Sequence, residues 1–189
     1  MQNLSPIGWA LLPLKKYATF SGRASRAEFW WFFLFLFVVW MVVYFLMIGS
    51  LIGAASGQNP PSAGIMGMFG GLGLILVLFW VAMLLPTLAV QTRRLHDTNR
   101  SGWWLGGFYL LYVVYFAMLF GTMGSMMIGG APKDPSQVSG GMFGATMILG
   151  LIMFIYMIAL LVFYCLPGST GANRYGEDPY GPDVERVFA

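Results

Sequence analysis

Nearly every side chain that could do polar chemistry in this chain lies in three short stretches. They are Phe20-Ser-Gly-Arg-Ala-Ser-Arg-Ala-Glu-Phe-Trp-Trp31, Arg93-Arg-Leu-His-Asp-Thr-Asn-Arg-Ser-Gly-Trp-Trp104 and Leu166-Pro-Gly-Ser-Thr-Gly-Ala-Asn-Arg-Tyr-Gly-Glu-Asp-Pro179. Their cations are arginines, with Lys15 and Lys16 just upstream. A purely electrostatic anchor would accept any cation, whereas the planar fork of arginine suits bidentate contact with a carboxylate or a phosphate. Arg23, Arg26, Arg93, Arg94, Arg100 and Arg174, with His96, Trp103 and Trp104, are therefore the candidate contacts for anionic lipid headgroups or a protein partner.

Asp97 and Glu28 sit inside the arginine clusters. A carboxylate there weakens an anchor, so Asp97 is expected to pair with Arg93, Arg94 or a neighbour such as Arg26. The resulting network would clamp the three stretches together, and Gly22, Ser25, Gly102, Pro167, Gly168, Asn173, Tyr175 and Gly176 are assigned to it. Ser25-Arg-Ala-Glu28 also reads as a capping box, in which Ser25 accepts from the Glu28 amide and Glu28 reaches back to the Ser25 amide. His96, the single histidine, has an unperturbed pKa suited to general-base work. A membrane enzyme acting on lipid head groups would use His96, Asp97 and Asn173. No nucleophile accompanies them, and neither a phosphate-loop pattern nor a Cys/His metal spacing occurs. No catalytic residue, metal ligand or cofactor is assigned, and the reading leans away from an enzyme.

The elements that must hold these stretches are apolar. With 58% hydrophobic and 9% charged residues among 189 and a mean hydropathy of +0.73, the chain cannot wet a globular exterior, which is usually about a quarter charged. Disorder is excluded by the same numbers, and a disulfide framework by Cys165 being alone. No Asp, Glu, Lys or Arg occurs from Phe29 to Thr92, from Ser101 to Pro132, or from Pro135 to Asn173. A membrane-crossing helix takes about 20 apolar residues, so the first run holds two, parted by the turn-forming Gly53-Ala-Ala-Ser-Gly-Gln-Asn-Pro-Pro-Ser-Ala-Gly64. Helices are the only reading of such runs, because isolated strands cannot satisfy their backbone in lipid. The predicted fold is an all-α membrane protein, a four-transmembrane-helix bundle with spans at about 29–52, 66–90, 103–128 and 142–166. Residues 1–28 form a cytoplasmic or interfacial N-terminal segment, and 167–189 a cytoplasmic tail.

Orientation follows from the cations. Lys15, Lys16, Arg23 and Arg26 precede the first span, Arg93, Arg94 and Arg100 lie between the second and third, and Arg174 and Arg186 follow the fourth. Of the ten Lys and Arg, only Lys133 stands on the other side, beside Asp134. The positive-inside rule then places both termini and the central loop in the cytoplasm. The N-terminus does not read as a cleavable signal, since the apolar segment begins only at Phe29 and is too long.

Several smaller features carry expectations of their own. Trp30-Trp31 and Trp103-Trp104 read as interfacial anchors. Trp9 to Phe20, interrupted by Pro13, reads as a short segment on the inner leaflet. Pro86 should kink the second span and free a carbonyl that needs another partner. Gly49-x-x-x-Gly53-x-x-x-Gly57, Gly67-x-x-x-Gly71 and Gly140-x-x-x-Gly144 would allow close helix approach. Met66, Met68, Met118, Met123, Met126, Met127, Met142 and Met147 crowd the outer ends of the spans. Thioethers are soft ligands for Cu(I), but gap-filling in apolar bundles is the reading taken. Cys165 reads as a small buried hydrophobe. The spans lack the Asp, Glu, His or Arg at membrane depth that ion-coupled transporters carry, and only Thr87 and Gln91 hint at a polar stripe.

The motifs Gly-Arg-Ala-Ser-Arg-Ala-Glu-Phe-Trp-Trp, Arg-Arg-Leu-His-Asp-Thr-Asn-Arg-Ser-Gly-Trp-Trp and Pro-Gly-Ser-Thr-Gly-Ala-Asn-Arg-Tyr-Gly, in this order, resemble the bacterial inner-membrane family called domain of unknown function 805. The resemblance runs from about Tyr17 to Gly181. It implies a small polytopic protein of the bacterial inner membrane and brings no activity, cofactor or catalytic residue. The expected function is that of a membrane interaction or scaffold protein. Its cytoplasmic Arg/Trp face would bind anionic lipid headgroups or a partner protein, with homo-oligomerisation open. The alternatives are a transporter or channel component acting as an oligomer, and a lipid head-group enzyme. Nucleic acid is not an expected partner, because basic residues hugging a membrane are accounted for by topology.

Overall fold

The computed structural model describes residues 4–55, 71–129 and 140–179. Residues 1–3, 56–70, 130–139 and 180–189 lie outside the described residues, and with them Gly57, Gly67, Met66, Met68, Lys133 and Arg186. The described chain is helical: α1 (Pro6–Lys15), α2 (Arg26–Ala55), α3 (Gly71–Asp97), α4 (Trp103–Gly129) and α5 (Gly140–Cys165). The last four are each long and apolar enough to cross a membrane. Only 6–17% of each apolar window is buried within the chain. Side chains such as Phe37, Phe45, Val77, Leu110 and Ile155 point outward and need lipid or another protein against them.

The chain divides into two compact units, Met1–Asn99 with Gly168–Ala189, and Arg100–Pro167. In the first, α1 packs against α2 and α3. Ser5 caps α1 by accepting from the Gly8 amide at 3.2 Å, and Pro6 at the first helical position gives up no needed donor. The helix continues through Pro13, which is buried, and stops at Lys15. On α2 the buried residues are Glu28, Phe29, Phe32 and Leu36, and on α3 they are Pro86, Ala89, Val90, Arg93, Arg94, Leu95 and Asp97. Both sets follow helical periodicity, and both change from apolar to ionic at the same end. The charged cluster is thus the continuation of this unit's core.

Pro86 lacks the amide that would bond to Ala82 four residues back. The carbonyl it leaves is taken by Tyr17, whose hydroxyl donates to Ala82 O at 2.5 Å. The Thr87 hydroxyl is likewise committed, donating to Met83 O at 2.6 Å.

In the second unit α4 packs against α5. Thr146, Met153 and Leu160 repeat every seven residues along α5 and are buried with Tyr164. Close approach occurs at Gly107 and Gly150: a Cβ at these positions would lie 3.1 Å from Tyr156 Oη and 3.4 Å from Tyr115 Cε2. At Gly49, Gly53 and Gly144 of the G-x-x-x-G patterns a Cβ would meet nothing within 4 Å among the described residues. Cys165 is exposed rather than buried, because it follows Tyr164 by about 100° around the helix and so turns off the packed stripe.

Candidate functional site

Asp97, at the C-terminal end of α3, is the node of the ionic cluster. A carboxylate there opposes the helix macrodipole and, at 0% exposure, cannot be left to water. Arg23 meets Oδ1 with both Nε and Nη2 at 2.9 Å, and Arg94 donates to Oδ2. The partner from the first stretch is therefore Arg23 and not Arg26, which is exposed. The third stretch closes on the same residue, since Ser169 donates its amide (2.8 Å) and its hydroxyl (3.2 Å) to Asp97 O. Arg23 spends its other donors on that stretch too, on Gly171 O at 2.5 Å and on Ser169 O. Asp178 lies 4.0 Å from it and accepts from the Gly171 amide at 3.1 Å.

A second ionic group sits beside the first. Arg93 donates Nη1 to Glu28 Oε1 at 2.5 Å, and Lys16 Nζ lies 3.6 Å from Oε2. The Glu28 amide donates to Ser25 Oγ at 3.1 Å, which is one half of a capping box. The carboxylate turns to Arg93 and Lys16 instead of back to the Ser25 amide, because a buried guanidinium needs a counter-charge more than a helix end needs a second acceptor. Backbone joins the two stretches as well, Ala24 N donating to Arg93 O at 3.0 Å.

The tail is shaped to fit. Asn173 and Gly176 exchange backbone hydrogen bonds at 3.0 and 3.1 Å around a two-residue turn. The Asn173 side chain donates to His96 O and Ser169 Oγ, both at 2.9 Å, and its oxygen accepts from the Tyr175 amide. Tyr175 stacks on the His96 ring at 3.8 Å and 3°, while His96 Nδ1 lies 3.2 Å from Gly22 O. Gly22 has φ +85°, a conformation that costs a glycine nothing. A Cβ on Gly168 would come within 2.7 Å of three Asp97 carboxylate atoms, so only glycine lets the tail approach. Arg174 is exposed, with Nη2 donating to Asn99 O at 3.1 Å.

Arg100, Gly102, Trp103, Trp104 and Pro167 belong to the second unit. Ser101 Oγ accepts from the Trp103 amide at 3.3 Å, and Gly102 O accepts from the Leu105 and Gly106 amides, which starts α4. Arg100 lies 4.0 Å above the Phe163 ring, and Trp104 meets Phe163 edge-on. Tyr156 donates to Trp104 O at 2.8 Å. Trp103 is 84% exposed, and Pro167 is exposed at the end of α5.

Arg23, Arg93 and Arg94 are thus buried and matched to carboxylates, whereas Arg26 and Arg174 face outward. Arg26 and Ala27 with Trp30, Trp31 and Leu34 line an open groove of about 410 Å³ on α2. Sequence reasoning missed Ser169, Gly171, Lys16 and Tyr17. The first two act largely through backbone, which no residue type advertises. Among the described residues no three His, Cys, Asp or Glu side chains converge as metal ligands. Both Asp97 oxygens are held by arginines, and His96 Nδ1 faces Gly22 O and not the carboxylate.

The sequence matches the family described as "Protein of unknown function (DUF805)" over residues 17–177. Inner membrane protein YhaH of Escherichia coli (strain K12) is 30% identical over 171 residues, covering 90% of this chain and 95% of that protein. Inner membrane protein YhaI of the same strain is 31% identical over 171 residues, covering 90% and 94%. "Uncharacterized protein YiiR" is 28% identical over 160 residues, covering 85% of each. No solved structure matches the chain.

Proposed function

The chain belongs to the DUF805 family and is a multi-pass integral protein of the inner membrane, and from that premise we propose that it is a membrane interaction or scaffold protein that holds anionic phospholipid on its cytoplasmic side. The observation that carries this reading is the groove on α2. Arg26 stands at its polar end, and Trp30, Trp31 and Leu34 form its apolar wall, which is the arrangement a phosphate headgroup and the upper part of an acyl chain require. The orientation is N-in and C-in, on the strength of the cation distribution.

The test is native mass spectrometry of the full chain after mild delipidation from phosphatidylglycerol or phosphatidylcholine nanodiscs. Phosphatidylglycerol should be retained preferentially, and Arg26→Gln should reduce its retention several-fold while leaving phosphatidylcholine unaffected. Equal retention of the two lipids, or no response to Arg26→Gln, sinks the reading.

A further inference from the structure

Arg93 is 1% exposed, yet one of its three guanidinium nitrogens does all the bonding. Nη1 is held by Glu28, whereas Nε and Nη2 are buried and meet no hydrogen-bond acceptor among the described residues. Those two nitrogens form the side-on edge of the guanidinium, a pair of parallel N–H donors spaced to grip two oxygens of a carboxylate or a phosphate. The same edge in Arg23 is satisfied, since its Nε and Nη2 both reach Asp97 Oδ1. Arginine cannot escape the penalty by losing its proton, and dry donors on an ionised group are among the costliest unsatisfied groups a protein can bury.

The charges point the same way. Arg23, Arg94 and Asp97 sum to +1, and Asp178 stands by Arg23 to answer it. Lys16, Arg93 and Glu28 also sum to +1, and no second carboxylate lies within ion-pair distance of Arg93 or Lys16 among the described residues. A water molecule would fill the donor edge but leave the charge. An oxyanion answers both.

We propose that the side-on edge of Arg93 binds an oxyanion of the phosphate class, entering past Lys16. The Lys16 side chain is 41% exposed and supplies the second positive charge. Glu28 holds the guanidinium in register through Nη1, and its own negative charge is shared with Lys16, so the site depends on both cations. The phosphate is either free inorganic phosphate or the phosphodiester of a phospholipid. The proposal rests on the membrane reading above only for the second source.

The test uses the full chain in a non-ionic detergent, titrated with inorganic phosphate by calorimetry, and the chain in phosphatidylglycerol nanodiscs, read by native mass spectrometry after delipidation. Phosphate binding in detergent identifies the free anion, and lipid retention without phosphate binding identifies the phosphodiester. Arg93→Lys keeps a cation for Glu28 but has no fork, and should weaken whichever binding is seen at least tenfold. Lys16→Gln, at a half-exposed position where folding is not at stake, should weaken it several-fold. Arg26→Gln should leave phosphate binding unchanged. If neither probe binds the wild type, or if Arg93→Lys and Lys16→Gln bind like the wild type, the proposal is overturned. Where phosphate does not bind in detergent, loss of lipid in Arg26→Gln with full retention in Arg93→Lys overturns this site and leaves the groove standing, and the converse leaves this site and removes the groove.

Discussion

Replacing Asp97 by Asn removes one charge from the centre of the ionic cluster while keeping the side chain's shape. In the native arrangement the carboxylate is fully buried, with Arg23 on one oxygen and Arg94 on the other. Asn offers one oxygen where two guanidinium groups need acceptors, and its amide nitrogen faces a cation. Removing one partner of a buried ionic group costs about 3–5 kcal/mol, because the charge left behind is neither solvated nor paired. For a chain of this size each kcal/mol moves the melting temperature by about 2–4 °C. The expected fall is therefore about 6–20 °C, read from tryptophan fluorescence of the detergent-solubilised protein on heating. Asp178→Asn is the control, since that carboxylate is 4.0 Å from Arg23 and partly exposed, and such a pair is worth at most about 1 kcal/mol. The coupling should also appear in a cycle: Arg23→Gln with Asp97→Asn should cost less than the two single changes added together. A melting temperature for Asp97→Asn within about 2 °C of wild type, or one matched by Asp178→Asn, would refute the buried-node reasoning.

Three further outcomes are expected. Gly168→Ala places a methyl group on the Asp97 carboxylate and should destabilise by about 1–3 kcal/mol, while Gly49→Ala, in open space, should be neutral or slightly stabilising on heating in detergent. Tyr17→Phe strips the partner from Ala82 O and should cost about 1 kcal/mol. In a Pro86→Ala background, where residue 86 regains its amide, the cost should shrink toward zero, and an undiminished cost would show that the tyrosine does not serve the carbonyl freed by proline. For the orientation, single cysteines at Ser136→Cys and Glu177→Cys in a Cys165→Ser background should react with a membrane-impermeant maleimide only at position 136 in whole cells. Labelling at 177 would reverse the topology.

What the sequence made legible was periodicity and charge, and what it hid was backbone. The long helices follow from runs without a single charge, and the role of Glu28 and Asp97 follows from their placement among arginines. The choice of partners could not be read. Arg23 and Arg26 are three residues apart in the same stretch, but Arg26 opens α2 and is exposed, while Arg23 lies in the irregular segment before it and is drawn inward by two tail carbonyls. Pro86 announced an orphan carbonyl, but nothing in the local sequence named Tyr17 as its partner, since the two lie 65 positions apart. The glycine patterns are a related case. G-x-x-x-G reports a helix face that can be approached, not what approaches it, and among the described residues close approach occurs at Gly107 and Gly150, where a tyrosine on the facing helix needs room.

The cation count that sets orientation also needs dividing. Under the proposed topology all nine cytoplasmic cations act during insertion, when the chain has not yet folded and each is exposed to the translocation machinery and to anionic lipid. Once the helices pack, Arg23, Arg93 and Arg94 are buried and pair with Asp97 and Glu28. That second use explains why they are arginine: topology asks only for charge, whereas Asp97 asks for donors that reach one oxygen from two directions and still have N–H groups left for the Ser169 and Gly171 carbonyls. A lysine at position 23 would satisfy the first demand and fail the second. Arg23→Lys should therefore insert with unchanged orientation and yet unfold at a lower temperature, which separates the two roles in a single protein.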